Sequence, residues 1–97
     1  MDGDLYLYLK TKRGLSRSTT WNKEAYEIIE THYNRLKNDF EIGRVIHVGK
    51  TKDVINGFGF VLFNASTLAE ANKYMNEDEA ILKGMKTGAC FSYRAVF

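Results

Sequence analysis

The sequence predicts an α+β domain in which one four-stranded antiparallel sheet carries two helices on a single face. Three observations predict it: an opening segment with the period of a strand, two stretches with the period of a helix, and three further strand-like runs that divide the chain into similar halves. At 97 residues the chain fits one domain, 1–97 with its core from about residue 4 to residue 97, whether it is whole or excised from a longer protein.

Leu5-Tyr6-Leu7-Tyr8-Leu9 alternates two residue types, which is the period of a strand with two different faces. Helices with an apolar stripe need an apolar surface beneath them. The expectation is therefore that Leu5, Leu7 and Leu9 point toward the helices, and that Tyr6, Tyr8 and Lys10 point to the opposite, open face. Lys12 to Thr20 contains Gly14 and several Ser and Thr and reads as a loop, with Thr20 or Asn22 as the cap of the next helix. From Trp21 to about Asn38, Trp21, Ala25, Ile28, Ile29, Tyr33 and Leu36 recur along one stripe, which predicts a long amphipathic helix. His32 sits within that stripe. No second His, Cys or carboxylate shares its face at helical spacing, so it reads as a histidine at the edge of the core.

Phe40 to Val48 is β-branched and alternates from Arg44 onward, giving a second strand. A turn-prone stretch, Gly49 to Asn56, leads to a third strand from Phe58 to Phe63, so the two form a hairpin. Thr67-Leu68-Ala69-Glu70 has capping-box spacing, and Leu68, Ala71 and Met75 continue one helical face to about Asn76. Glu77-Asp78-Glu79 reads as a solvated helix end, because nothing fixes three carboxylates around one point. Phe91 to Phe97 supplies the last strand. Strand, helix, strand, strand, helix, strand is the order of the ferredoxin-like βαββαβ fold.

The net charge of +2 does not by itself argue for a polyanionic partner, yet Lys10, Lys12, Arg13, Arg17 and Lys23 fall in one stretch with no acidic residue. A lone Cys90 permits no internal disulfide, which predicts an intracellular setting, nuclear or cytoplasmic. The longest apolar run, Leu5 to Leu9, is too short to cross a bilayer, so a monomeric domain without a membrane partner is expected. Catalysis would need a constellation such as a paired His and carboxylate. His32 and His47 stand isolated in sequence, so no enzyme activity, metal or cofactor is predicted.

Residues 56–63, Asn-Gly-Phe-Gly-Phe-Val-Leu-Phe, resemble the octamer signature of the RNA recognition motif family at seven of eight positions. The family's first-strand hexamer resembles Leu5 to Lys10 over its first half. The resemblance covers about Asp4 to Phe97 and implies binding of single-stranded RNA on the open face, with bases stacked on Tyr6, Phe58 and Phe60 and Tyr8 as an added ring. It also implies a contact from the last strand, through Arg94 if Phe91 and Tyr93 point inward, or through Tyr93. Asn56 stands where the family has a basic residue, and Leu9-Lys10 where it has Asn-Leu. Lys10, Lys12, Arg13, Arg17, Lys50 and Lys52 are then expected to supply the phosphate contacts. The rival expectation is a protein partner for the same fold.

Overall fold

The computed structural model describes residues 4–12, 23–52 and 57–97. Along them run β1 (Asp4–Lys12), α1 (Lys23–Glu41), β2 (Val45–Lys50), β3 (Phe58–Ala65), α2 (Leu68–Asn76), a one-turn α3 (Glu79–Leu82) and β4 (Lys86–Ser92). The strands form one antiparallel sheet in the order β2-β3-β1-β4, so β1 and β3 are the central pair. This α+β arrangement, an antiparallel sheet with three helices, is compatible with a ferredoxin-like fold.

Alternation along β1 holds, but its sense is opposite to the expected one. Tyr6 and Tyr8 are 6% and 0% exposed and belong to the core with Leu36 of α1 and Ala71, Tyr74 and Met75 of α2, whereas Leu5, Leu7 and Leu9 lie half-buried on the other face. The register shows why. Tyr6 pairs with Phe63 and Tyr8 with Val61, and Val61, Phe63 and Ala65 are the inward residues of β3. The two tyrosine rings meet Phe63 at 6.3 and 5.6 Å, and Phe63 meets Tyr74 at 4.8 Å, so the core is a cluster of rings. A buried tyrosine hydroxyl needs a partner, and Tyr8 has one: its hydroxyl donates to Asp78 Oδ2 at 2.7 Å.

Helix α1 ends later than its apolar stripe suggested, and its buried line is Ile28, His32 and Leu36, one turn apart. Trp21 and the candidate caps Thr20 and Asn22 lie outside the described residues. Its C-terminus closes on Gly43, at φ +84°: the Gly43 N–H donates to the Phe40 carbonyl and the Arg44 N–H to that of Asp39, which is a Schellman ending. Gly84, at φ +78°, ends α3 the same way, through Gly84 to Ile81 and Met85 to Ala80. At the start of α2, Thr67 accepts from the Glu70 N–H at 3.1 Å. The Glu70 carboxylate turns back to the N–H and hydroxyl of Ser66, so the expected box closes one residue earlier.

β1 and β3 extend slightly beyond their expected runs, and two strands depart further. Strand β2 spans Val45–Lys50 rather than Phe40 to Val48, because Phe40 and Glu41 close α1. The β2–β3 pairing slips between Val45 and His47, leaving Ile46 as an extra residue. Strand β4 starts at Lys86 and ends at Ser92, where Phe91 to Phe97 was expected. Lys86-Thr87-Gly88-Ala89-Cys90 has little intrinsic strand preference and is a strand because it pairs with β1. A Cβ on Gly88 would stand 2.7 Å from Ile81 Cδ1 and 2.8 Å from Met75 Sδ, so a larger residue there would displace the ends of those two side chains.

The inverted faces of β1 make a direct prediction. Tyr6→Ala removes a core ring and should cost ~3–5 kcal/mol, whereas Leu7→Ala on the opposite face should cost ~1 kcal/mol or less. Urea unfolding of both variants checks this, and a larger loss for Leu7→Ala would reverse the assignment of the faces.

Candidate functional site: the two faces of the sheet

The face away from α1 and α2 collects side chains from all four strands. By register these are Leu5, Leu7, Leu9 and Thr11 of β1, Phe58, Phe60, Leu62 and Asn64 of β3, His47 and Gly49 of β2, and Thr87, Ala89 and Phe91 of β4. Phe58 and Phe91 are the most open of these rings, at 41% and 49% exposed. Phe60 packs 5.5 Å from the His47 ring. It also lies across Gly49, where an added Cβ would stand 2.7 Å from Phe60 Cε1, so the absent side chain lets the ring lie close to the sheet. At one end Thr11 and Thr87 join by hydroxyls 2.9 Å apart. No charged side chain belongs to this face among the described residues.

The expected ring set is therefore corrected. Phe58 and Phe60 share the face away from α1 and α2, but Tyr6 and Tyr8 are in the core and cannot receive a stacked base there. His47 and Phe91 stand with the two phenylalanines instead, and sequence reasoning missed both. A one-residue bulge set the side of His47, and the register of β4 set that of Phe91. Because Phe91 and Tyr93 are exposed, the condition that favoured Arg94 is not met; Arg94 itself is exposed beyond β4. Lys50 and Lys52 are exposed at the end of the β2–β3 hairpin. Lys12 closes β1 opposite Lys86, while Arg13, Arg17 and Asn56 lie outside the described residues.

Lys10 is the second correction. It is 6% exposed on the helix side, where its Nζ lies 2.6 Å from His32 Nε2. The other ring nitrogen, His32 Nδ1, is 2.8 Å from Asp78 Oδ1. Asp78 is fully buried and also accepts from the Tyr8 hydroxyl and, at 3.0 Å, from the Ala80 N–H that it caps at the start of α3. With the Lys10 ammonium donating to Nε2, the ring carries its proton on Nδ1 and donates it to Asp78, so every group in this chain is satisfied. The expected solvated acidic patch is thus overturned at Asp78, and His32 is not isolated in space. The signal was hidden because its partners are 22 and 46 residues away in sequence.

The electrostatics follow from burial. Burial pushes the Asp78 carboxyl upward, but hydrogen bonds from His32 and Tyr8, together with the nearby Lys10 charge, outweigh it and hold the group below its usual range. The Tyr8 hydroxyl is pushed far up, by burial first and then by the Asp78 charge. Lys10 is lowered to about 8, chiefly by burial, with the charges of Lys86 and Lys50 adding to it and Asp78 opposing. Above this amine the Tyr33 ring stands 5.8 Å away.

A second ring site lies at the rim of the core. Arg35 and Arg44 place their guanidinium carbons 4.0 and 4.2 Å from the Tyr74 ring centre, and the Tyr74 hydroxyl donates to Asp39 at 2.5 Å. Among the described residues no three His, Cys, Asp or Glu side chains converge to hold a metal ion, and no helix is long and apolar enough to cross a membrane. No known protein-family model matches this chain, and no curated protein matches it in sequence.

Lys10 makes stability depend on alkaline pH. Its folded value lies below the ordinary 10.5, so between pH 8 and 10.5 the unfolded chain binds more protons and stability rises with pH. Above pH 10 the raised hydroxyls of Tyr8 and Tyr74 reverse the sign, since the unfolded chain then loses protons that the folded one keeps. Wild-type stability should therefore climb by on the order of 2 kcal/mol from pH 8 to pH 10. Lys10→Met should flatten that climb, as read from urea midpoints at each pH.

Proposed function

We propose that the protein is a ferredoxin-like domain of the RNA recognition motif kind that binds single-stranded RNA on the sheet face away from α1 and α2. The observation that carries this reading is the placement of Phe58 and Phe60, the two rings of the octamer-like segment, on that face with His47 and Phe91 beside them. Rings from three strands of one sheet make a platform on which successive bases stack, and stacking accepts any base. The strand order β2-β3-β1-β4 supports the reading, because it puts the octamer-like strand beside β1 at the centre of the sheet. Phosphate contacts fall to the exposed Lys52 and Arg94 at the margins, whereas Lys50 lies by register on the helix side with Lys10. Such a domain belongs in the nucleus or cytoplasm.

One observation favours a second reading. Leu5, Leu7, Leu9, Leu62 and Ala89 share the face with the rings, and no charge interrupts them among the described residues. An apolar surface of this composition suits a protein partner whose own contact surface is apolar.

Titration of random-sequence single-stranded RNA at two salt concentrations separates the readings. For RNA binding, Phe58→Ala and Phe91→Ala should each weaken affinity about tenfold, in line with ~1–3 kcal/mol per stacked base. Leu7→Lys should tighten binding, because it adds a cation to a face without one. Undetectable RNA binding by the wild type sinks this reading. A wild-type dimer or complex that Leu7→Lys disrupts would establish the protein-partner reading instead.

A further inference from the structure

We propose that Lys10 is an activated amine that forms an imine with aldehydes bearing an anionic group, His32 acting as its base and Asp78 orienting the histidine. The three groups form a chain on the helix side of the sheet: Lys10 Nζ to His32 Nε2 at 2.6 Å, His32 Nδ1 to Asp78 Oδ1 at 2.8 Å. A nucleophile within hydrogen-bond reach of a base, itself held by a third group, is the arrangement that activates weak nucleophiles. Asp78 is anchored independently by Tyr8 and by the Ala80 N–H, so it fixes one imidazole orientation.

The surroundings suit an amine better than a packed side chain. Across the sheet, Lys10 stands between two glycines, Gly59 of β3 and Gly88 of β4, and Lys50 of β2 stands beyond Gly59. Gly88 is filled from above by Ile81 and Met75. Gly59 is different. The atoms nearest to where its Cβ would stand are Lys10 Cε at 3.2 Å and, each at 3.6 Å, Lys10 Nζ and the Gly49 carbonyl oxygen. A side chain at position 59 would press on the end of Lys10, and this half-buried glycine spares the amine that contact. The charges of Lys50 and Lys86 reach Lys10 and help lower its proton affinity, to about 8. The same two charges would attract a phosphate carried by the aldehyde.

The chemistry balances without any further reactant. His32 Nε2 accepts a proton from the ammonium, and the free amine attacks the aldehyde carbon to form a carbinolamine. That proton then returns to the departing hydroxyl, which leaves as water, and a C=N bond joins Lys10 Nζ to the former carbonyl carbon. Amine and aldehyde go in; imine and water come out.

Reductive trapping tests this. The folded wild-type protein is treated at pH 8 with limiting pyridoxal 5′-phosphate and cyanoborohydride, and the labelled peptides are mapped by mass spectrometry. Lys10 should be labelled at least about tenfold faster than the exposed Lys37, Lys73 and Lys83. Lys50→Met should slow labelling by pyridoxal 5′-phosphate more than labelling by pyridoxal, and His32→Gln should slow both alike. Label spread evenly over the exposed lysines, with Lys10 unmodified or no faster than they are, overturns the proposal. That outcome is read from the wild type alone and does not depend on any variant folding.

Discussion

The buried carboxylate of Asp78 is the constraint on which the rest of the arrangement turns. An ionised carboxyl at zero exposure is tolerable only if its oxygens are met by donors, and here three elements supply them: β1 through Tyr8, α1 through His32, and α3 through the Ala80 N–H. Each donor has a geometric consequence. Tyr8 commits one face of β1 to the interior, His32 sets the rotation of α1 about its axis, and the Ala80 contact fixes where the chain turns between α2 and β4. The positive charge that balances Asp78 arrives from Lys10, one step further along the same face of β1. Removing the Asp78 carboxylate would leave the Tyr8, His32 and Ala80 donors buried without their acceptor, and such unpaired groups are costly.

That constraint also divides the sheet. Polar chemistry is gathered on the side covered by helices, in the chain from Asp78 to Lys10. The opposite side carries leucines and phenylalanines with only hydroxyl, amide and imidazole groups among them. The covered side is still the apolar core, as is usual for such a sheet, but a buried polar chain runs through it. The aromatic cluster of Tyr6, Tyr8, Phe63 and Tyr74 makes it workable, because tyrosine brings a large apolar ring and a polar tip into the same layer.

Much of the fold was legible in the sequence, and the reasons for the exceptions are specific. The strand period of Leu5 to Leu9, the helical stripe through Ile28 and Leu36, the Thr67 cap and the inward Val61 and Phe63 all follow from local pattern, and they stand where the pattern put them. Alternation gives a strand's period but not its sense, however. The sense of β1 depended on a carboxylate seventy residues away, which no local window contains. Strand β4 escaped because its residues have weak strand preference and are held by pairing with β1. Of the candidate binding residues, Phe58 and Phe60 followed from alternation around Val61, whereas His47 and Phe91 depended on a bulge and a register.

The bulge in β2 has a consequence for how this chain can change length. Val45 and Val48 are the inward residues of β2, and the extra residue between the pairings of Val45 and His47 is Ile46, which is exposed. Without Ile46 the sequence Val45-His47-Val48 would alternate inward, outward, inward with no slip, and every remaining side chain of the strand would keep its present face. A single-residue deletion, ordinarily the change most damaging to a strand, is therefore accommodated at this position. Ile46 marks the place where the hairpin can lose a residue without exchanging its two surfaces.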